Sequence, residues 1–321
     1  MNYLAGVDEA GLGPILGPLV VAGVAMAGPA GVDPWQELAR LVSRHRHQKD
    51  RVRVADSKKV HQGPHGLQRL EETVLAFWAA HHGELPQSLG EWLAQLGADL
   101  PRLRRCPWYQ ELDLPLPHSA DRGWLQLRAE LLARSLQRSG LRLLDLAVRP
   151  VDVEEWNALI ADTDNKSRAH LHAYLEVVAR LVASLPKDRA ASEQAHLVAD
   201  RAGGRMHYRH DLQRLWPGRH IAVLDEQPAV SSYRVDGPDG PLQITFAEKG
   251  EDRAFPTALA SCCAKYLREL MVLALNRWFQ ARVPGLQATA GYYVDGHRFL
   301  ADLAPHLERL AVPTERLVRS R

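Results

Sequence analysis

The sequence predicts an α/β protein, a sheet flanked by helices. Three observations carry that expectation: short apolar segments of strand character, longer segments with apolar residues at helical spacing between them, and acids standing where several strands stop. Residues 3–7 and 19–26 read as two strands joined by a Gly/Pro-rich turn, which puts Asp8 and Glu9 where the first strand gives out. Residues 44–53 are polar and basic, and 66–81 then carries Leu67, Leu70, Val74, Phe77 and Trp78 at helical spacing. From 83 to 123 the pattern loosens into Pro, Gly and Trp with short helical pieces. This marks a helical insertion, at about 83–143, in a single domain spanning 1–321, and it reads as a lid or extension. A helix over 124–139, a strand over 141–151 and a helix over 166–185 follow, the last with leucines, valines and alanines on one face. Residues 196–199 form a short strand that stops at Asp200, ahead of the turn-forming Ala202, Gly203 and Gly204. Residues 220–224 and 231–235 are further strands, with 237–240 as a turn. Pro256 suits the first turn of a helix over 257–281, whose alanines allow close packing.

Composition narrows the class. The 321 residues carry 40 basic and 38 acidic side chains, a formal charge of +2, so any nucleic-acid contact must use local basic patches. Cys106, Cys262 and Cys263 form neither a disulfide framework nor a paired metal-ligand spacing, which fits a reducing compartment, and a cytoplasmic location is expected. The start lacks a basic n-region and soon meets Asp8, so no signal peptide is expected. The apolar stretch 15–27 is interrupted by Gly17, Pro18 and Gly23 and suits a buried strand; no apolar run reaches membrane-spanning length. A soluble monomer without a membrane partner is expected.

The acids suggest a chemistry. Asp8 with Glu9, Asp200, and Glu251 or Asp252 stand at separate strand or helix ends, the pattern a two-metal phosphodiester hydrolase needs. Mg²⁺ and Mn²⁺ prefer hard oxygen ligands, and two ions about 4 Å apart activate the attacking water and stabilise the leaving oxygen together. Neighbouring Asp8 and Glu9 can serve jointly only if the strand is ending, because in a regular strand they point to opposite faces; Gly11-Leu12-Gly13-Pro14 supplies the break. The glycines also suggest close backbone approach by a ligand.

The segment AGVDEAGLGPILGPLVVAGV, residues 5–24, resembles the opening motif of the ribonuclease HII and HIII family. The resemblance implies a ribonuclease H-like mixed sheet flanked by helices with a C-terminal helical segment, a metal-binding Asp8-Glu9 pair, and Gly11, Leu12 and Gly13 beside the ribose 2′-hydroxyl. Asp56-Ser57-Lys58-Lys59 looks like the family's DSKK segment, whose lysines lie near the nucleic-acid backbone. Trp156, Asn157 and the run from Asn165 through Lys166 to Arg168 resemble its Asn-containing segment. Val198-Ala199-Asp200 looks like the strand bearing the third carboxylate. Lys249-Gly250-Glu251, followed by Ser261 and Ala264-Lys265, matches the spacing that carries the fourth, with Asp252 as the alternative after a one-residue shift. Gly291-Tyr292 and His297 match the C-terminal motif, so Tyr292 would stack on a sugar, while His297 is not read as a base.

The resemblance implies an endonuclease that hydrolyses the RNA strand of RNA/DNA hybrids, or ribonucleotides embedded in DNA. Asp8, Glu9, Asp200 and Glu251 would hold two Mg²⁺ or Mn²⁺ ions. Lys58, Lys59, Lys166 and Arg168 are candidates for phosphate contacts. The departure is Leu12 where the bacterial HII branch has arginine, which removes a guanidinium's grip on phosphate. Two alternatives remain beside this one: a hybrid-binding protein with impaired catalysis, and a nuclease of the same fold acting on another nucleic-acid structure.

Overall fold

A computed structural model of the chain describes every residue except 49, 188, 191, 192 and 321. Seven strands form its main sheet: β1 (Asn2–Ala10), β2 (Leu19–Gly28), β3 (Arg142–Val151), β4 (Gln194–Asp200), β5 (His220–Gln227), β6 (Val230–Asp236) and β7 (Leu242–Ala247). Their order is β3-β2-β1-β4-β7-β6-β5. β1, β4 and β7 run parallel at the centre, and the other neighbours pair antiparallel, so the sheet is mixed. The longer helices are α1 (Gly66–His82), α2 (Arg122–Ser139), α3 (Val153–Thr163), α4 (Lys166–Ala183), α5 (Phe255–Gln280) and α6 (Tyr293–Leu303).

β2 is apolar along its whole length because both of its faces are covered. Val20, Ala22, Val24 and Met26 enter one core with α1 and α5, whereas Leu19, Val21, Ala25 and Ala27 enter a second core with α4. β1 has no room for a side chain at Gly6: a Cβ there would lie 2.1 Å from the Thr257 backbone nitrogen, so the first turn of α5 rests directly on the strand. Gly6→Ala forces that helix off the sheet. Overpacking a core costs about 1–3 kcal/mol, and the loss expected here, read from urea denaturation, is at the upper end because the obstacle is backbone.

The segment expected to be a lid or an extension packs into the core, which a lid would not do. Leu89, Trp92, Trp108 and Leu114 join the same apolar cluster as α1 and α5. Its polar anchor is Glu71 on α1, which is fully buried. The Glu71 carboxylate accepts the backbone amides of His118 (2.5 Å), Ser119 (2.6 Å) and Ala120 (2.5 Å) and the Tyr266 hydroxyl.

The structure differs from the sequence reading at three further places. β1 does not stop before its acids: it continues to Ala10, pairing Asp8 with Ala22 and Glu9 with Val21, because the ladder is made by backbone groups that are indifferent to side-chain charge. α3 was not expected, although Asp152 caps it by accepting the Glu155 amide at 2.9 Å and Glu154 and Glu155 occupy its first turn. Nor was β7, a central strand whose Leu242, Ile244 and Phe246 alternate with Gln243 and Thr245. Among the described residues no helix is long and apolar enough to cross a membrane.

Candidate active site

The central parallel strands bring two acids from distant parts of the chain side by side. Val7 pairs with Ala199 in the β1/β4 ladder, so Asp8 and Asp200, each one residue further on, are neighbours on one face at the carboxyl ends of adjacent strands. Ligands of open α/β sheets bind at such ends. Tyr174 on α4 latches the two strands there, its hydroxyl bonded to the carbonyl oxygens of Val7 (2.8 Å) and Asp200 (3.0 Å). Burial pushes the Tyr174 hydroxyl well above its ordinary pKa, with the charges of Glu9, Asp8 and Asp200 adding to the rise.

Each acid is held differently. Asp8 is buried on the α5 side. Burial pushes its carboxyl well above the usual range, as do the charges of Glu9 and Asp200, while hydrogen bonds from Ser261 and the Glu9 amide partly oppose the rise. Asp200 accepts the Gly250 amide at 3.0 Å, and burial, with added repulsion from Glu9 and Glu251, raises its pKa to about 6. Glu251 follows Gly250 in a one-turn helix (Gly250–Arg253) and is raised by burial and by the neighbouring Asp56 and Asp252 charges. Glu9 points the other way, toward α4, with its Oε2 3.6 Å from the buried His170 Nε2; both atoms lack a hydrogen-bond partner. Asp252 is exposed and pairs with Arg44 (3.5 Å) and Lys59 (3.4 Å). Glu251, not Asp252, is therefore the acid whose charge reaches Asp200.

Among the described residues no three Asp, Glu, His or Cys side chains, as placed, meet closely enough to hold an ion. Asp200 is turned onto the Gly250 amide and Glu9 toward His170, so the four carboxylates expected at one point do not, as placed, stand at ligation distance. The donor set still fits a hard divalent cation: it is carboxylate oxygen, its members repel one another, and Glu9 Oε2 is a buried acceptor with no donor.

The remaining candidates fall into two groups. Ser57 and Ser261 are buried and bonded to each other at 3.0 Å behind Asp8, which ties the DSKK turn to the acid. Asn165 caps α4 by accepting the Arg168 amide at 3.1 Å. Asn157 is engaged by the backbone of Glu315, Val318 and Ser320 and so docks the segment around 315–320 onto α3. On the outside lie Lys58, Lys59, Lys166, Arg168 and Gly13. Gly11 has φ +94°, and a Cβ there would stand 2.5 Å from Arg268 Nε, so only glycine suits the position. Leu12 beside it is half-buried. Tyr292 is 50% exposed, with the Arg268 guanidinium 5.6 Å from its ring centre, and His297 is a surface residue bonded to the Tyr293 carbonyl oxygen.

The sequence reading did not single out Tyr174 or His170. The signal available was their i, i+4 spacing on one face of a helix. Tyr174→Phe is expected to leave the two strand-end carbonyls short of a donor and to lower stability by about 1–3 kcal/mol, measured as a fall in the urea midpoint at unchanged slope.

The chain is thus a mixed α/β protein with a carboxylate group at the ends of central parallel strands. No protein-family model and no curated protein matches the sequence. Among solved structures it is similar to the ribonuclease HII of Archaeoglobus fulgidus, from a complex with PCNA, at 18% identity and TM-score 0.43, covering 99% of this chain and 94% of that one. It is similar to ribonuclease H2 from Pyrococcus horikoshii OT3 at 13% identity and TM-score 0.39, covering 98% and 92%. A third is Bst-RNase HIII in complex with Mn²⁺, at 14% identity and TM-score 0.43, covering 99% and 66%. At these values the functional reading rests on the chain's own residues.

Proposed function

We propose that this chain is a divalent-metal-dependent endonuclease that cuts RNA in RNA/DNA hybrids or at ribonucleotides embedded in DNA. The observation that carries the reading is the lateral pairing of Asp8 with Asp200 at the strand ends, with Glu9 and Glu251 within electrostatic reach. The AGVDEAGLGP motif supports the substrate class, by resemblance to ribonucleases HII and HIII.

In this reading Asp8, Glu9, Asp200 and Glu251 would hold Mg²⁺ or Mn²⁺, which when bound lowers the pKa of water and neutralises charge on the phosphoryl oxygens. The chain's own residues position the strand. The exposed backbone at Gly13 would approach a ribose, the exposed ring of Tyr292 offers a stacking face, and the exposed Lys58 would meet a phosphodiester. The products carry 3′-hydroxyl and 5′-phosphate ends.

The test compares a uniform RNA/DNA hybrid, a DNA duplex with one ribonucleotide and an all-DNA duplex, with Mg²⁺ and with Mn²⁺. Cleavage confined to the ribonucleotide-containing substrates is expected. Cleavage of all-DNA alone would move the chain to another substrate, and binding without any cleavage would make it a hybrid-binding protein.

A further inference from the structure

Two buried guanidiniums lie beneath the glycine loop of residues 11–14. Arg319 is 5% exposed; its Nε donates to the Gly17 carbonyl oxygen at 2.9 Å and its Nη1 to that of Gly11. The Trp156 ring lies 5.4 Å from the guanidinium, and the remaining nitrogen, Nη2, is buried without a partner. Arg268 on α5 is fully buried, and its Nε too is without a partner. Among the described residues no acid pairs with Arg319, and Arg268 meets only Glu269, at 3.3 Å. Beside Arg319 opens a cavity of about 340 Å³ lined by Leu12, Gly13, Pro14, Lys166, Tyr293 and Arg319. Its size is within the roughly 300–1,000 Å³ of small-ligand sites.

An unpaired buried cation is costly, and like charges held together raise that cost. Burial, with the Arg268 charge adding, lowers Arg319 to about 9, so it remains charged at neutral pH. A buried cation with an unpartnered donor, on a residue that lines a cavity, is the setting of an anion site, and arginine suits phosphate in particular.

We infer that the cavity between the glycine loop, the start of α4 and the segment 318–320 is a phosphate subsite, with Arg319 as its buried donor and Lys166 at its rim. The source of the phosphate as a nucleic-acid backbone rests on the function proposed above; the anion itself does not.

The test is run in EDTA, so that binding is measured apart from cleavage. The affinity of a short RNA/DNA hybrid is read by fluorescence anisotropy across a KCl series for wild type, Arg319→Gln, Lys166→Gln and Leu12→Glu. Leu12→Glu sets a carboxylate at the cavity wall and leaves the Arg319 backbone contacts alone, so it carries the test if Arg319→Gln fails to fold. The site predicts about tenfold weaker binding and a salt slope smaller by about one. In a second arm, inorganic phosphate is compared with chloride at equal ionic strength by thermal shift. Protection of wild type but not of Leu12→Glu, with hybrid affinity unchanged, would keep the anion site and assign it a free phosphate. Unchanged hybrid affinity in Leu12→Glu together with no phosphate protection of wild type would overturn it. Wild type that binds hybrid through these residues yet never cleaves it with metal would sink the nuclease reading and leave the subsite standing.

Discussion

Asp200→Asn is expected to cut hybrid cleavage at least about a thousandfold, roughly 4 kcal/mol of transition-state stabilisation, and at the same time to stabilise the metal-free fold near neutral pH. The two effects have one cause. Asparagine keeps an oxygen for the Gly250 amide but removes the charge that Glu9 and Glu251 oppose. Because the folded-state pKa is raised from 3.8 to about 6, the folded protein holds this proton longer than the unfolded chain. The stabilisation is complete below the unfolded pKa and is lost as pH rises through about 6. At about 1.4 kcal/mol per unit the loss is on the order of 3 kcal/mol. In EDTA the wild-type melting temperature should therefore fall between about pH 4 and pH 7, and the fall should be smaller in Asp200→Asn. A variant that keeps cleavage, or shows the wild-type pH profile, would remove Asp200 from the site.

Glu71→Ala carries the second large effect. It strips the acceptor from three backbone amides and the Tyr266 hydroxyl in a buried setting, so several donors lose their partners at once. Each buried donor left without an acceptor costs about 1–3 kcal/mol, so the loss should be visible as a large drop in the urea midpoint. Glu71→Gln should recover only part, because a carboxamide offers one oxygen where the donors use two. A midpoint within about 1 kcal/mol of wild type for Glu71→Ala would show that loop 118–120 is held by its apolar contacts alone.

What the sequence made legible is what depends on neighbours in the chain. β2 could be read because a strand covered on both faces must be apolar throughout, and α5 because Pro256 and the alanines after it mark an N-terminus made for close packing. α3 was missed although its apolar face, Val153, Trp156, Leu159 and Ile160, follows helical spacing, because the stretch is short and dense with acids. The stop expected at Asp8 was misplaced because chain polarity was taken for the end of a ladder that backbone groups make. At the site, Asp200 was legible as an acid at a strand end, whereas Asp8 stands inside β1, two residues before its end. The partners Tyr174, His170 and Arg319 were not, since each acts on residues more than a hundred positions away. The packing of residues 89–116 into the core was hidden for the same reason: the Trp and Leu residues there have no regular period, and the segment closes through backbone bonds between its two ends, Leu89 to Leu114 and Gly90 to Leu112, beside the Glu71 anchor at 118–120.

The distance between the Asp8 and Asp200 backbones is the spacing of adjacent strands, about 4.8 Å, so it is a property of the ladder and not of either side chain. That ladder joins residues 2–7 to residues 194–199. Contacts of such sequence separation form slowly, after local helices. During refolding, helical signal should return early, while the activity proposed for the site should lag until the slowest phase, making its recovery a clock for closure of the central sheet.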